Sequence, residues 1–575
     1  MTPNSSPSPN SPSPNDTYTS PLAERNASKE MLTLWSPRHK FNTWRRIWLA
    51  VAEAQHKLGL PVSNEQVEEL RAVVERPGGI TDAEIELAKK YERELRHDVM
   101  AHVHALGDAC PKAKGIIHLG MTSQDVVCNA DFLIIHQATC LILTKIAACV
   151  SSLGAAGAKW VHVPTLGFTH YQPAQPTTVG RRITQWAHDL SLIDDSRLFS
   201  SKPRGFRGAT GTQASFLALF SNDSMKVDRM DAEAAQTLKR EFVLDEETGA
   251  NESTIEYVTR VRDRNIRQAE AEIAKATAAG DQARSARTQS WLAEYKSRPM
   301  SQLLDEHAVG YLKEQTVQLT GQTYPRVVDT FILADLASTA SVLHKIATDI
   351  RLLSNRKEID EPFESKQIGS SAMPYKRNPM RCERICGLTR FVMNLVGNAY
   401  DTAATQWLER TLDDSSNRRL SLPEAFLALD GALDLMHNVA SGLVVHEATV
   451  RKNLMAELPF MATENLLMEC VKLGGDRQRY HEVIRQHAQA AGFRVKQEGA
   501  ENDLIDRLKG DKNFWSTSRG GALSAELNWD GLLDPMKYVG RSVEQTERFI
   551  ADVVEPLRAQ YADRLAALGD SGPKV

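Results

Sequence analysis

Residues 365–384 read Ser-Lys-Gln-Ile-Gly-Ser-Ser-Ala-Met-Pro-Tyr-Lys-Arg-Asn-Pro-Met-Arg-Cys-Glu-Arg, a polar stretch set between helical patterns. Gly369 frees the backbone, and Pro374 and Pro379 forbid a continuous helix, so the segment is loop-like. Within it the hydroxyls of Ser370 and Ser371 stand a few residues from the cation of Lys376, with Asn378 and Glu383 following. A polar surface turn accounts for the glycine and the prolines. It does not account for Ser-Ser, Met-Pro, Lys, Asn and Glu at these offsets, which together read as a reaction site.

Working outward, the flanking pattern is helical and β-type alternation is scarce. From Val328 the apolar residues Phe331, Ile332, Leu336, Val342, Leu343, Ile346, Ile350 and Leu353 recur at threes and fours, a run long for a globular helix. A second such helix covers Phe132 to Leu153, and a third begins near Arg384. Long, mostly apolar helices imply a bundle, and stripes this wide imply partners beyond one chain's own helices.

A chain of 575 residues exceeds one ordinary core, and its length predicts roughly three or four units. Net charge is -4, from 69 basic and 73 acidic residues, so no global field attracts nucleic acid or an anionic membrane. Any anion binding must be local. The seven cysteines (Cys110, Cys128, Cys140, Cys149, Cys382, Cys386, Cys470) form no CxxC pair and read as reduced core thiols of a cytoplasmic protein. Residues 1–19 are Pro, Ser and Asn with little apolar content, which predicts a disordered tail rather than a secretory signal. The apolar run Ala138–Val150 is broken by Lys145 and too short to span a bilayer, so it reads as a buried helix.

The loop resembles the signature Gly-Ser-Ser-x-Met-Pro-x-Lys-x-Asn-Pro of the fumarase/aspartase superfamily. The likeness extends through Arg96-His97-Asp98, Thr122-Ser123, Thr169 to Gln175, Gly321 to Tyr324 and Glu409 to Arg419, in order, and covers most of the chain from about Ser20. The resemblance implies an all-α, three-domain fold whose long central bundle forms the core of a homotetramer. It implies elimination of fumarate from a succinyl group carried on nitrogen or oxygen, with no cofactor. Domains are expected at about 20–122, 123–440 and 441–575. Between Ala235 and about Leu312, two helical patterns separated at Gly280 read as a surface hairpin inserted in the central domain.

The reaction needs a base, an acid and a holder of intermediate negative charge. The resemblance assigns the base to Ser370. A serine hydroxyl is a poor base at neutral pH, so backbone N–H groups of its turn and Lys376 must stabilise the alkoxide. Such stabilisation predicts a loop that shuts over substrate. The resemblance assigns the acid to His170, placed in a turn by Gln172-Pro173, with Glu383 orienting its ring, and puts His97 in the active site.

Resemblance also gives a phosphate-bearing, purine-type succinylated ligand. Tyr375-Lys376-Arg377 and the segment Glu409–Ser415 favour it over argininosuccinate, the substrate of a related lyase, and the intact site residues disfavour a non-catalytic structural relative. On this basis Arg25, Arg384, Arg410, Ser415 and Arg419 bind nucleotide or phosphate. Thr122, Ser123, Thr169, Lys376 and Asn378 hold the succinyl carboxylates, Gln322 touches the ligand, and Arg96 and Asp98 flank His97 beside it. The superfamily usually carries Arg-Tyr where this chain has Arg25-Asn26, and the Gly205–Thr212 loop is short, so contacts at both places depart from the pattern. Arg418 adds another guanidinium next to Ser415. His97, His102 and His104 fit no common zinc spacing, and His446-Glu447 lacks a second histidine, since position 450 is Val. No metal is expected. His102 and His104 read as packing or surface histidines.

Overall fold

Side-chain caps start most of the N-terminal helices. Ser28, Ser36, Ser63 and Thr81 each accept a backbone N–H three residues on, opening α1 (Lys29–Leu34), α2 (Pro37–Lys57), α3 (Asn64–Val74) and α4 (Asp82–Leu95). The imidazole of His97 does the same for α5 (Asp98–Ala109). Then follow α6 (Ser123–Lys159), the antiparallel pair β1 (Pro164–Thr169) and β2 (Gln172–Thr178), and α7 (Val179–Ser191). Next come α8 (Ala214–Leu219), α9 (Ser224–Phe242), α10 (Thr254–Ala278), α11 (Gln282–Ser297) and α12 (Val327–Asn355). The two-residue strand β3 (Ile359–Asp360) precedes α13 (Met380–Ala404) and α14 (Asp413–Ser441), and pairs with β4 (Val444–Val445). Beyond lie α15 (Glu447–Met461), α16 (Thr463–Lys472), α17 (Arg477–Phe493) and shorter helices. The computed structural model describes residues 16–193, 202–242, 254–299, 316–515 and 527–568, so most of the expected tail lies outside the described residues.

Three cores organise these elements. In the first, Trp44, Ile47, Trp48 and Val51 of α2 pack with Leu70 of α3 and Val99 and Leu106 of α5. Phe206, Phe216 and Met230 share that core, so the segment 202–242 leans on the N-terminal helices. The largest core joins α6, α7, α12, α13 and α14, and the last helices return to it through Val554 and Tyr561. A third, around Leu466, Cys470, Tyr480, Leu504 and Phe514, belongs to the C-terminal part. Helices α10 and α11 pack on each other as a hairpin, tied by Lys296–Glu270 and Arg284–Glu272 ion pairs. By length and composition α6 and α12 could cross a membrane, but the apolar window of α6 is mostly buried among the other helices.

Cross-helix pairs fix the directions within the bundle. Arg418 near the start of α14 reaches Asp131 near the start of α6 and Asp329 near the start of α12. Farther along, Lys145 of α6 meets Asp430 and Asp434 of α14, and Ser152 meets His437. Helices α6, α12 and α14 therefore run parallel. Helix α13 runs the other way, since its late Asn398 bonds the early Asn417 of α14. Helix α7 folds back along α6 where Gly157 and Gly180 let the backbones meet: a Cβ on Gly180 would sit 2.4 Å from the Gly157 carbonyl oxygen.

Candidate active site

At the end where α6, α12 and α14 begin, several expected site residues converge. His97 caps α5, and its Nε2 lies 3.3 Å from Oγ of Ser123, the first residue of α6. Beside it Arg419 donates to the Asp98 carboxylate at 2.6 Å. Burial alone would raise the Asp98 carboxyl, but Arg419, the Val99 amide and Lys40 outweigh it and hold it below the usual carboxylate range. Arg96, exposed, takes a left-handed conformation (φ 53°) that ends α4 and turns the chain into His97.

The start of α6 is braced from beneath. The Thr122 N–H donates to Asp125 at 2.7 Å, and the same buried carboxylate accepts from Arg204 and from the Arg207 and Gly208 amides. The short loop around Gly205 thus supports Thr122 and Ser123 from below. Arg410 donates to Gln322 at 3.3 Å and pairs with Asp414 at 3.1 Å, while Ser415 sits in the first turn of α14. Arg418 differs from its neighbours. It is buried, and its fork is taken up by Asp329, Asp131 and the Tyr324 hydroxyl, so it builds the site wall and offers no donor to a phosphate.

One neighbour escaped the sequence reading. The indole N–H of Trp48 donates to Nδ1 of His118 at 3.0 Å, and burial pushes His118 down to about 4. The ring is therefore neutral with its hydrogen on Nε2, close enough to His97 to feel its charge. Its only sequence signal is proximity to Thr122-Ser123. His102 stacks on Phe41 at 3.8 Å and is likewise pushed down to about 4 by burial, and His104 lies against Tyr91. Among the described residues no cluster of His, Cys, Asp or Glu could hold a metal ion.

His170 sits elsewhere, at the tip of the β1–β2 hairpin. It and Tyr171 both have positive φ, 52° and 56°, the geometry of a two-residue turn that matches strand twist and that glycine or asparagine usually occupy. The strand leading into the tip is clamped. The Phe168 ring lies 4.7 Å from the Arg356 guanidinium and 5.9 Å from that of Arg182, and Arg182 also donates to the Leu166 carbonyl at 2.6 Å. Thr169 and His170 are exposed.

The signature loop lies between α12 and α13. Oγ of Ser370 accepts the Met373 N–H at 3.1 Å and the Ala372 N–H at 3.4 Å, two donors aimed at one hydroxyl oxygen. Asn378 donates to the Gly369 carbonyl at 2.8 Å, and a Cβ on Gly369 would meet the Lys376 carbonyl at 2.1 Å, so only glycine lets the two limbs lie this close. Residues 371–377 are exposed, and the Lys376 ammonium makes no ion pair among the described residues. Glu383, exposed, and Arg384 follow in the first turns of α13. Burial, then Arg25 and Arg381, push the Arg384 guanidinium down, which places Arg25 beside it. Asn26 turns its amide back to the Pro21 carbonyl at 2.9 Å, while its backbone rests on Gly431 of α14.

One chain thus gathers His97, Asp98, Ser123, Arg410, Gln322 and Arg419 at one end of the bundle, and the signature loop and His170 hairpin toward the other. From Asp329, which faces Arg418, to Leu353, near the hairpin, α12 climbs about 36 Å at 1.5 Å per residue. Neither Ser370 nor Glu383 makes a hydrogen bond with His170 within the chain.

Comparison with known proteins places the chain in a family. A family described as "Lyase" matches residues 23–216 and 250–394, and one described as "Adenylosuccinate lyase C-terminus" matches 459–549. The chain is 43% identical to the adenylosuccinate lyase of Schizosaccharomyces pombe, over 95% of this chain and 96% of that protein. It is 42% identical to that of Saccharomyces cerevisiae, over 93% and 94%. The fold matches the 3-carboxy-cis,cis-muconate lactonizing enzyme of Pseudomonas putida with a TM-score of 0.67 at 20% identity, covering 93% of this chain and 99% of that one. A helical bundle of the fumarase type, the matching family models and near full-length identity above 40% all agree: the chain belongs to the adenylosuccinate lyase family.

Proposed function

We propose that the protein splits adenylosuccinate into AMP and fumarate, and the succinylated aminoimidazole carboxamide ribotide into its carboxamide and fumarate, two steps of purine biosynthesis. The observation that carries this reading is the pair of backbone N–H groups on Ser370 inside a loop with the full signature. They favour the deprotonated oxygen, which lets a serine serve as base. In the elimination, Ser370 takes the proton from the carbon beside a succinyl carboxylate. The electron pair stays on that carboxylate as the C–H bond breaks, then forms the C=C bond of fumarate as the C–N bond breaks. His170, with its ring oriented by Glu383, gives its proton to the departing nitrogen. Lys376, Asn378, Thr122, Ser123 and Thr169 hold the carboxylates, and Gln322 touches the substrate. Arg25, Arg384, Arg410, Ser415 and Arg419 take the phosphate and nucleotide.

The site is shared between subunits of a homotetramer. The bundle's roughly 36 Å span supports this, because His170 and Ser370 on one chain are too far from Arg410 and His97 to serve a single small substrate. Exposed apolar side chains along the same bundle, Phe331, Phe391, Tyr400, Trp407, Leu412 and Leu420, support burial against further copies. All seven cysteines are free, which favours the cytoplasm.

The deciding experiment gives purified protein adenylosuccinate and argininosuccinate separately and follows fumarate release. Fumarate is expected from the first alone, and none from adenylosuccinate would remove the assignment.

A further inference from the structure

The signature loop is tied at its base by a carboxylate that no catalytic step uses. Glu361 is only 4% exposed, and its two oxygens accept consecutive backbone amides across the loop, Arg381 N–H at 3.0 Å and Cys382 N–H at 2.9 Å. Those amides open α13, whose own N-cap position, Pro379, supplies no side-chain cap. Arg381 returns the favour, donating to the Pro362 carbonyl and to the Glu364 carboxylate. The limbs at 361–364 and 381–382 are thus locked together by bonds running both ways. A second rung, Asn378 to the Gly369 carbonyl, lies nearer the tip. Above it the tip is exposed, with apolar Met373 and Tyr375 at 49% and 84% of their full accessibility.

A loop held at two rungs and bare at its tip can move only as a flap about its base. The lower rung then sets where Ser370 arrives when the flap closes. We propose that Glu361 is a positioning residue for this reaction, anchoring the 365–379 loop so that Ser370 reaches the substrate in register. The proposal rests on the reading of Ser370 as base. Its chemistry is specific: two acceptor oxygens must meet two N–H groups, and a side-chain amide can satisfy only one of them while turning a donor toward the other.

The test compares Glu361→Gln with the unaltered enzyme, reading kcat and KM, cleavage by trypsin after the exposed Lys376 and Arg377, and the circular dichroism spectrum. We expect kcat to fall on the order of tenfold with KM within about threefold, and tip cleavage to quicken several-fold, in a protein of unchanged helicity. Arg381→Lys keeps the charge and loses the fork, so it should move both readouts the same way by less, and it carries the test if the glutamine variant fails to fold. Unchanged kcat, or lost turnover with unaltered tip cleavage, would overturn the proposal. A Ser370→Ala enzyme that keeps normal turnover would instead remove the base assignment, and quickened cleavage in Glu361→Gln would still show the anchor.

Discussion

Arg419 and Asp98 lie 321 positions apart in the chain and meet at 2.6 Å, joining the first turns of α14 to the start of α5. An acid that pairs with an arginine proposed to bind substrate fixes where that arginine points, and costs some of its charge. The pair therefore aims the guanidinium.

For that reason Asp98→Asn is expected to raise KM more than it lowers kcat. A loss of about 1.4 kcal/mol in binding, typical of one charge-assisted contact, corresponds to tenfold. Steady-state kinetics at neutral pH would check it, and an unchanged KM would show that Arg419 is aimed by other means.

In the proposed reaction His170 and Ser370 act together, yet they stand apart from the end of their own chain where Arg410 and Arg419 gather. Ser370→Ala and His170→Ala should each lower turnover by about a hundredfold or more with assembly intact. Mixing Ser370→Ala with Arg410→Ala, after dissociation and reassembly, should restore part of the activity, since some sites would draw Ser370 and Arg410 intact from different chains. Absence of any recovery, with mixed assemblies demonstrated by mass, would argue for sites built within one chain.

Lys145 sits between two buried carboxylates, Asp430 at 2.5 Å and Asp434 at 2.7 Å. One ammonium neutralises one of them, and burial pushes Asp434 up to about 6. A carboxyl whose native pKa exceeds its unfolded value of about 3.9 adds stability below that value, and loses the contribution as pH rises through about 6. Stability of Asp434→Asn relative to the native protein should therefore climb between pH 4 and pH 6, as urea unfolding at several pH values would report. A flat difference across that range would show that Asp434 keeps an ordinary pKa.

At the crossing of α6 and α7 a methyl group on Gly180 would press on backbone, 2.4 Å from the Gly157 oxygen and 2.6 Å from the Val161 Cα. Backbone cannot swing aside as a long side chain can. Gly180→Ala should cost about 2 kcal/mol or more and shift the melting temperature down by several degrees.

Much of the candidate site was legible because its residues are local in sequence. Ser370, Lys376, Asn378 and Glu383 fall within one loop and its following turn, and the turn holding His170 announces itself through Gln172-Pro173. Apolar periodicity in 328–353 and 132–153 foretold α12 and α6, since a buried stripe must repeat with the helix. What stayed hidden depends on contacts between distant segments. Glu361 reads as one more surface acid until α13 turns its first amides toward it. Arg418 looks like Arg419 in sequence, yet one residue's rotation about α14 buries the first among Asp131, Asp329 and Tyr324 and leaves the second exposed. The His118 tautomer needs Trp48, far upstream, to become visible.

Three parallel helices have an electrical consequence. Each N-terminus carries the equivalent of about half a positive charge, and α6, α12 and α14 all present theirs at the end where Arg410 and Arg419 gather. The three dipoles favour a phosphate group at that end of a chain whose net charge of -4 offers an anion no general attraction. Capture of a phosphate-bearing substrate becomes a short-range event, strong within about 10 Å at ordinary ionic strength and weakened as added salt shortens that reach.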